Sequence, residues 1–336
     1  MTRTTRGTRF VIAALGLALT LTLSACGGNL GGGEAATAET YPDGPITMLI
    51  GQDPGGSTDL VGRALADRAG ADLGAPIAVE NRPGANGAIA AQELTGADPD
   101  GQTLMVLVGS LAYITPLAVQ PDEAIDLADF EIVTGISQDD YVLVAGPDTG
   151  FTTVEDIRNA GRPINVGTTG VGTGSQLSSE LLFKQAGIES TAVPFDGGSP
   201  TLTAVLGGQV DVAAIQLGEA IGQIQAGEIT PIVTFAGQRV NYLPDTPTAA
   251  EAGYPVQVQQ SRAIVAPKGT PPEVLAELRT AFGGVFATPE YRKFNTQRLL
   301  TPNEVPGEEL RTQWSSALEN YRGLVQEFGV DLGGNA

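Results

Sequence analysis

Histidine is absent from the 336 residues, and cysteine occurs once, as Cys26. Histidine-based triads, Cys–His nucleophiles and the usual zinc sites need these side chains, so those catalytic and metal centres are excluded. A single cysteine also excludes a disulfide within the chain. No serine stands in a G-x-S-x-G nucleophile motif. We therefore expect no enzyme, no cofactor and no metal, although chemistry by carboxylates alone stays open at this point.

Basic residues are scarce, with 18 lysines and arginines against 38 aspartates and glutamates and a formal net charge of −20. Nucleic acid is excluded as a partner, because binding to phosphates needs clustered lysine and arginine. A small anionic ligand is not excluded. Backbone N–H groups at helix N-termini attract anions locally, while surface charges are screened beyond roughly 10 Å.

An apolar run over residues 10–23 follows three arginines and is too short to span a bilayer comfortably. It runs into Leu23-Ser24-Ala25-Cys26, which resembles a bacterial lipobox. We expect 1–25 to be a lipoprotein signal peptide, Cys26 to carry lipid, palmitate included, and 26–40 to be a flexible tether. The protein would then be anchored to the cell membrane on its extracytoplasmic face. An ordinary signal peptide cut near Ala25 is the alternative.

The loop Asp53-Pro54-Gly55-Gly56-Ser57-Thr58-Asp59 joins an apolar run over 46–51 to a helical pattern. It is predicted to be a strand-to-helix turn in which the two glycines let the backbone approach a ligand and Ser57 or Thr58 caps the helix. Such a helix N-terminus attracts carboxylates. A tight connection that binds nothing is the alternative.

Two later stretches repeat the pattern of strand, glycine-rich loop and helix. They are Gly167–Gln176 and Phe195-Asp196-Gly197-Gly198-Ser199-Pro200. The first contains G-x-G-x-G, which lacks the spacing of a dinucleotide fingerprint, and no loop carries the lysine of a P-loop. Loops of this kind in two sheet-forming halves favour a ligand cleft between them.

Two further residues are candidates for the same cleft. Ser110 follows the apolar strand 103–108, and ligands of parallel sheets bind at the carboxyl ends of strands. Arg262 lies in the extended segment 256–265 and can clamp a carboxylate with two hydrogen bonds. A salt bridge at the surface or at a hinge is the alternative for Arg262.

Several motifs in fixed order resemble those of the tripartite tricarboxylate transporter substrate-binding proteins, also called Bug receptors, over 41–336. The motifs include Pro54-Gly55-Gly56-Ser57-Thr58-Asp59, Glu80-Asn81-Arg82-Pro83-Gly84-Ala85-Asn86-Gly87, Pro99-Asp100-Gly101-Gln102-Thr103-Leu104, Phe195-Asp196-Gly197-Gly198, Leu206-Gly207-Gly208-Gln209-Val210-Asp211 and Ala266-Pro267-Lys268-Gly269-Thr270-Pro271.

The resemblance implies an α/β, two-domain periplasmic-binding-protein fold, type II-like, with a hinge and an interdomain ligand cleft. Each domain is expected to be a mainly parallel sheet with helices on both faces. Domain 1 would comprise 41–141 plus 264–336, and domain 2 would comprise 142–263. The implied function is a monomeric receptor that captures a small organic acid and delivers it to the large and small subunits of a membrane permease.

The residues expected to contact the ligand are Gly55, Gly56, Ser57, Thr58, Asp59, Ser110, Thr169, Gly172, Thr173, Gly174, Ser175, Gln176, Phe195, Asp196, Gly197, Gly198 and Arg262. Many relatives have a histidine where Gln176 stands and a tyrosine where Phe195 stands. Amino acids, aromatic acids and neutral ligands therefore stay open beside dicarboxylates and tricarboxylates. A lipoprotein that signals ligand binding to a membrane sensor kinase is the alternative function.

Overall fold

The computed structural model describes residues 41–333; the expected signal peptide, Cys26 and the tether lie outside them. The strands are β1 (Ile46–Ile50), β2 (Ile77–Asn81), β3 (Thr103–Val108), β4 (Phe130–Ala145), β5 (Ile164–Thr168), β6 (Ser190–Pro194), β7 (Val212–Gln216), β8 (Thr230–Thr234) and β9 (Gln259–Pro267). The helices are α1 (Ser57–Leu73), α2 (Ala88–Thr95), α3 (Ser110–Tyr113), α4 (Val154–Arg158), α5 (Gly174–Ala186), α6 (Gly198–Leu206), α7 (Leu217–Gln225), α8 (Pro272–Phe286), α9 (Pro289–Arg298) and α10 (Gly307–Phe328).

The strands form one sheet in the order β2-β1-β3-β9-β4-β7-β5-β6, with β8 also paired to β4. β1 pairs in parallel with β2 and β3, and β5 pairs in parallel with β6 and β7. β4 and β9 run antiparallel to their neighbours in the middle of the sheet. The predicted α/β class is confirmed, with two groups of parallel strands joined through an antiparallel pair.

The 16-residue strand β4 connects the two groups. Its residues 130–140 pair with β9, and its residues 141–145 pair with β7 and β8. We call the part built on β1–β3, β9 and the first section of β4 lobe 1, and the part built on β5–β8 and the last section of β4 lobe 2. The domain division at 141/142 and 263/264 stays a prediction, and it falls on these two central strands.

Lobe 1 buries β1 on both faces, as expected of a parallel strand covered by helices. Met48 and Ile50 pack with α1 and α8, whereas Leu49 packs with α2 on the opposite face. All three side chains are fully buried. The period of two along this strand therefore places helices on both sides of the sheet, and the loop after β1 emerges at the sheet edge where ligands bind.

β4 runs through Asp139-Asp140 without a break, although aspartate is disfavoured in strands. The reason is a tertiary partner, since the buried carboxylate of Asp139 forms an ion pair with Arg262 of the adjacent strand β9.

A separate finding concerns helices that could span a membrane. Across residues 41–333, no helix combines the length and the apolar content needed to cross a bilayer.

Candidate functional site

A cavity of about 520 Å³, including its open mouth, lies between the two lobes. It is lined by residues that follow β1, β3, β5, β6 and β7 or end them, which is the edge where open α/β sheets bind ligands. The lining residues are Gln52, Asp53, Gly56, Ser57, Thr58, Asn86, Val108, Tyr141, Thr169, Thr173, Asp196, Gly197, Gly198, Ser199, Pro200, Gln216, Glu219 and Gln260.

The N-terminus of α1 points a backbone donor at a carboxylate of the other lobe. α1 has Gly56 as its N-cap residue, which offers no side chain for capping. The N–H of Ser57 instead donates to Oε1 of Glu219, a residue of α7, over 2.8 Å. Orphan N–H groups at a helix start are satisfied by such acceptors. A carboxylate is therefore already held at the place where the sequence predicts an anion.

The N-terminus of α6 faces the same carboxylate from lobe 2. Gly197 is its N-cap residue and has φ +113°, a conformation that favours glycine. The backbone of Gly198 lies so close to Oε2 of Glu219 that a Cβ at this position would overlap it. Two helix N-termini, those of α1 and α6, thus converge on one carboxylate, and both line the cavity.

The cavity is acidic. Asp53, Asp196 and Glu219 line it, and within the described part of the chain no lysine or arginine does. Burial raises the pKa of the Glu219 carboxyl, and the hydrogen bond from the Ser57 N–H offsets part of that rise. The attraction for an anion comes from helix termini and neutral donors rather than from a basic side chain.

Arg262 lies behind the cavity and does not line it. The guanidinium is fully buried and donates to Ser57 Oγ at 2.9 Å, Thr58 Oγ1 at 3.1 Å and Gln216 Oε1 at 2.8 Å. Its remaining donors meet Ser137 Oγ at 3.1 Å and the carboxylate of Asp139. Burial lowers the pKa of Arg262 to about 10, so it stays charged at neutral pH.

This arrangement leaves two hydroxyl donors for a ligand. Ser57 Oγ and Thr58 Oγ1 each accept a hydrogen bond from Arg262, so the O–H of each hydroxyl is left to donate. Both residues line the cavity at the start of α1. Arg262 therefore acts on the site through the side chains that it orients, and the same guanidinium ties lobe 1 to Gln216 of lobe 2.

Tyr141 separates the α5 N-terminus from the cavity. Its ring packs so closely on Gly174 that a Cβ there would overlap it, and its hydroxyl donates to Gln260 Oε1 over 2.7 Å. The start of α5 is satisfied internally, because Thr173 Oγ1 accepts from the N–H of Gln176. Consequently Thr173 lines the cavity, whereas Gly174, Ser175 and Gln176 do not.

Eight of the predicted residues line the cavity: Gly56, Ser57, Thr58, Thr169, Thr173, Asp196, Gly197 and Gly198. The others lie nearby with different partners. Ser110 Oγ accepts from the Asn86 side chain over 3.0 Å. Ser175 Oγ donates to the Ala214 carbonyl, and Gln176 bridges the Gly172 N–H and the Leu332 carbonyl. Gly55 and Phe195 line two adjoining cavities. Their ligand contacts stay predictions.

The remaining lining residues were not among the predicted ligand contacts, although Asp53, Ser199 and Pro200 lie in loops that the sequence singled out. Gln52 and Asp53 follow β1 after Gly51, and Gln216 ends β7, so the rule for carboxyl ends of strands could have found them. Glu219 and Gln260 had no such signal. They reach the cavity through the packing of α7 and β9 against elements distant in sequence.

Asp59 supports the loop from below instead of lining the cavity. Its buried carboxylate accepts from the Gly55 N–H and the Asn81 side chain, each over 2.9 Å, and pairs with Arg63. Burial alone would raise the pKa of Asp59, but the hydrogen bonds from Arg63, Gly55 and Asn81 outweigh it and hold the pKa below its ordinary value.

We expect Asp59→Asn to lower the free energy of unfolding by about 1–3 kcal/mol at pH 7, because buried donors lose a charged acceptor. A carboxyl with a lowered pKa stabilises the folded state above its unfolded pKa, about 3.9, and this stability is lost as the pH falls through the folded pKa. The gap between wild type and variant in urea denaturation should shrink towards pH 2. Asp67→Asn, on the exposed face of α1, is the control, and an equal loss from both substitutions would contradict the role of Asp59.

Comparison with known proteins identifies one family and many solved structures of similar fold. Residues 61–329 match the family described as "Tripartite tricarboxylate transporter family receptor". The periplasmic binding protein BugD overlaps at a TM-score of 0.80 with 26% identity, covering 87% of this chain and 99% of BugD. These matches confirm the predicted periplasmic-binding-protein fold.

Two further matches are solved with small acids. Rpa4515 from R. palustris, with adipate, overlaps at a TM-score of 0.82 with 25% identity, covering 87% of this chain and 99% of that one. MatC from Rhodopseudomonas palustris, with bound malate, overlaps at 0.79 with 28% identity, covering 85% of this chain and 100% of that one.

Proposed function

The chain belongs to the tripartite tricarboxylate transporter family of receptors, and on this premise we propose that the cavity between its lobes captures a small organic acid. Membership makes the protein a solute-binding receptor and not an enzyme.

One observation carries the carboxylate assignment. The N-termini of α1 and α6 converge on one point in the cavity, and a carboxylate already occupies that point. Helix N-termini attract anions through free N–H groups and the helix dipole. The hydroxyls of Ser57 and Thr58, oriented by Arg262, add neutral donors beside it. Adipate and malate in the two R. palustris neighbours support the same ligand class.

Contacts between the lobes support closure on the ligand. The carbonyl oxygen of Gly172, in lobe 2, accepts from Thr115 Oγ1 over 3.0 Å and from Asn86 Nδ2 over 3.3 Å, both in lobe 1. Such bonds form when the lobes meet and are lost when they part. We place the hinge on β4 and β9, the strands that cross between the lobes, in keeping with the domain division expected from the sequence.

The destination of the solute follows from the family. The closed receptor is proposed to deliver its ligand to the large and small subunits of a tripartite permease, acting as a monomer. It is proposed to do so from the extracytoplasmic face of the membrane, anchored by lipid on Cys26. Solute uptake in a strain that lacks the permease separates this role from signalling, because only transport requires the permease.

Thermal unfolding against a panel of carboxylates tests the ligand class. The protein is first shown to be free of ligand, and each acid is compared with its neutral diamide. At a hundredfold excess over Kd, binding adds about 2.7 kcal/mol to the free energy of unfolding and raises the midpoint. We expect a rise with at least one carboxylate and none with its diamide. Equal effects of acid and diamide, or no effect of any acid, would overturn the carboxylate assignment.

A further inference from the structure

Glu219 occupies the position at which the proposed solute carboxylate would be held best. Its Oε1 accepts from the Ser57 N–H at the start of α1, and its Oε2 lies against Gly198 at the start of α6. It also borders the adjoining cavity near Arg298 of α9, yet no ion pair joins the two within 41–333. Among residues 41–333, the Ser57 N–H is therefore the donor that holds the Glu219 carboxylate.

We propose that Glu219 determines which solutes the cavity accepts, by competing with a solute carboxylate for the facing N-termini of α1 and α6. This inference rests on the proposed function and adds a selection rule to it. The cavity disfavours solutes with two carboxylates. It favours solutes that carry one carboxylate and, at the other end, an ammonium or another hydrogen-bond donor.

Charge is the first reason. A second solute carboxylate enters a cavity that already holds Asp53, Asp196 and Glu219 and that no basic side chain of the described residues lines. Arg262, the buried cation behind the cavity, is paired with Asp139 and has its other donors on neutral side chains. Like charges repel strongly where water is scarce. The second charge of a dianion therefore weakens its binding, because no cation compensates for the repulsion.

Hydrogen bonding is the second reason. The side-chain oxygen of Gln52 is buried beside the cavity and has no hydrogen-bond partner among residues 41–333. A buried acceptor without a donor is costly, and a ligand that supplies the donor removes that cost. An ammonium group can donate to Gln52 and to the acidic side chains at once, whereas a carboxylate has nothing to donate.

The test uses two probes of equal length, adipate and 6-aminohexanoate, in which one carboxylate is replaced by an ammonium. Calorimetric titration of the full-length chain gives the ratio of their Kd values. Glu219→Gln keeps an oxygen that can accept from the Ser57 N–H but removes the charge. We expect this substitution to shift the ratio towards adipate by at least tenfold. Glu228→Gln, the same exchange at an exposed position just after α7, should leave the ratio unchanged.

A readout without any solute accompanies the titration. Amide N–H groups in the first turn of a helix ordinarily exchange freely, because they lack a partner within the helix. The Ser57 amide should be protected in the ligand-free wild type and should lose that protection in Glu219→Ala. An unprotected Ser57 amide in the wild type would contradict the proposal that Glu219 competes with a solute carboxylate for the helix N-termini.

The outcomes separate this inference from the function on which it rests. If both probes bind and their ratio is the same in wild type and Glu219→Gln, only the selection rule fails. If neither probe nor any other carboxylate binds either protein, the carboxylate assignment fails and the rule falls with it. A ratio that shifts by tenfold or more in Glu219→Gln alone supports both.

Discussion

Replacement of Arg262 by methionine is expected to lower the free energy of unfolding by about 3–5 kcal/mol and to abolish solute binding. The substitution leaves Asp139, which is 4% exposed, as a buried charge without its partner, and breaking a buried ion pair from one side costs about this much. It also frees the hydroxyls of Ser57 and Thr58 from the guanidinium that orients them. Urea denaturation and calorimetric titration measure the two losses.

Two variants show whether the loss comes from the stranded charge. Arg158→Met breaks an exposed pair with Glu155, and exposed pairs contribute about 0–1 kcal/mol. The double variant Arg262→Met/Asp139→Asn removes both buried charges and should regain part of the stability but not the binding, since the hydroxyls stay unoriented. A loss in Arg262→Met no larger than that in Arg158→Met would refute the assigned role of the buried guanidinium.

Replacement of Gly172 by alanine is expected to weaken solute binding by about tenfold to a hundredfold. Its Cβ would stand 2.9 Å from the Cα of Thr115, so the lobes cannot meet as they do in the structure. The bonds from Thr115 and Asn86 to the Gly172 carbonyl would be lost on closure. Two hydrogen bonds contribute about 1–3 kcal/mol, and 1.4 kcal/mol corresponds to a factor of ten in Kd.

Gly187→Ala is a matched control for the backbone cost of this substitution. Gly172 and Gly187 have φ values of +69° and +66°, so alanine is strained by a similar amount at both positions, about 1–2 kcal/mol. At Gly187, which ends α5, the added Cβ meets no atom within 4 Å. Both variants should lose similar stability, and only Gly172→Ala should lose affinity. Equal affinities would show that closure does not depend on this contact.

The local sequence patterns predicted the architecture well, because the apolar runs form strands that are buried on both faces of the sheet. The run 46–51 became β1, and the strand–loop–helix units after it became parallel strands with crossover helices. Helix boundaries were harder to predict where the break is short. The sequence has one helical pattern over 272–297, but the structure has two helices, α8 and α9, because Ala287 and Thr288 separate them and Thr288 caps the second.

The candidate site was predictable in its backbone and not in its side chains. Glycine-rich loops after strands predict helix N-termini, and the loops that contain Gly56 and Gly197 both line the cavity. Glu219 gave no such signal, because its role depends on α7 placing one carboxylate against two helices distant in sequence. For Arg262 the two sequence interpretations were a ligand clamp and a salt bridge. β9 lies between β3 and β4, which buries the side chain against Asp139 and gives it the salt bridge.

The position of the bound acid is the most direct test of the central claim. In two-dimensional 15N–1H spectra, the ligand-free protein is titrated with the carboxylate that raises the unfolding midpoint most. We predict saturable shifts of the amide signals of Ser57, Thr58, Gly198 and Ser199, which start α1 and α6 at the cavity. Saturable shifts confined to other parts of the molecule, with these four signals unmoved, would contradict carboxylate binding between the lobes.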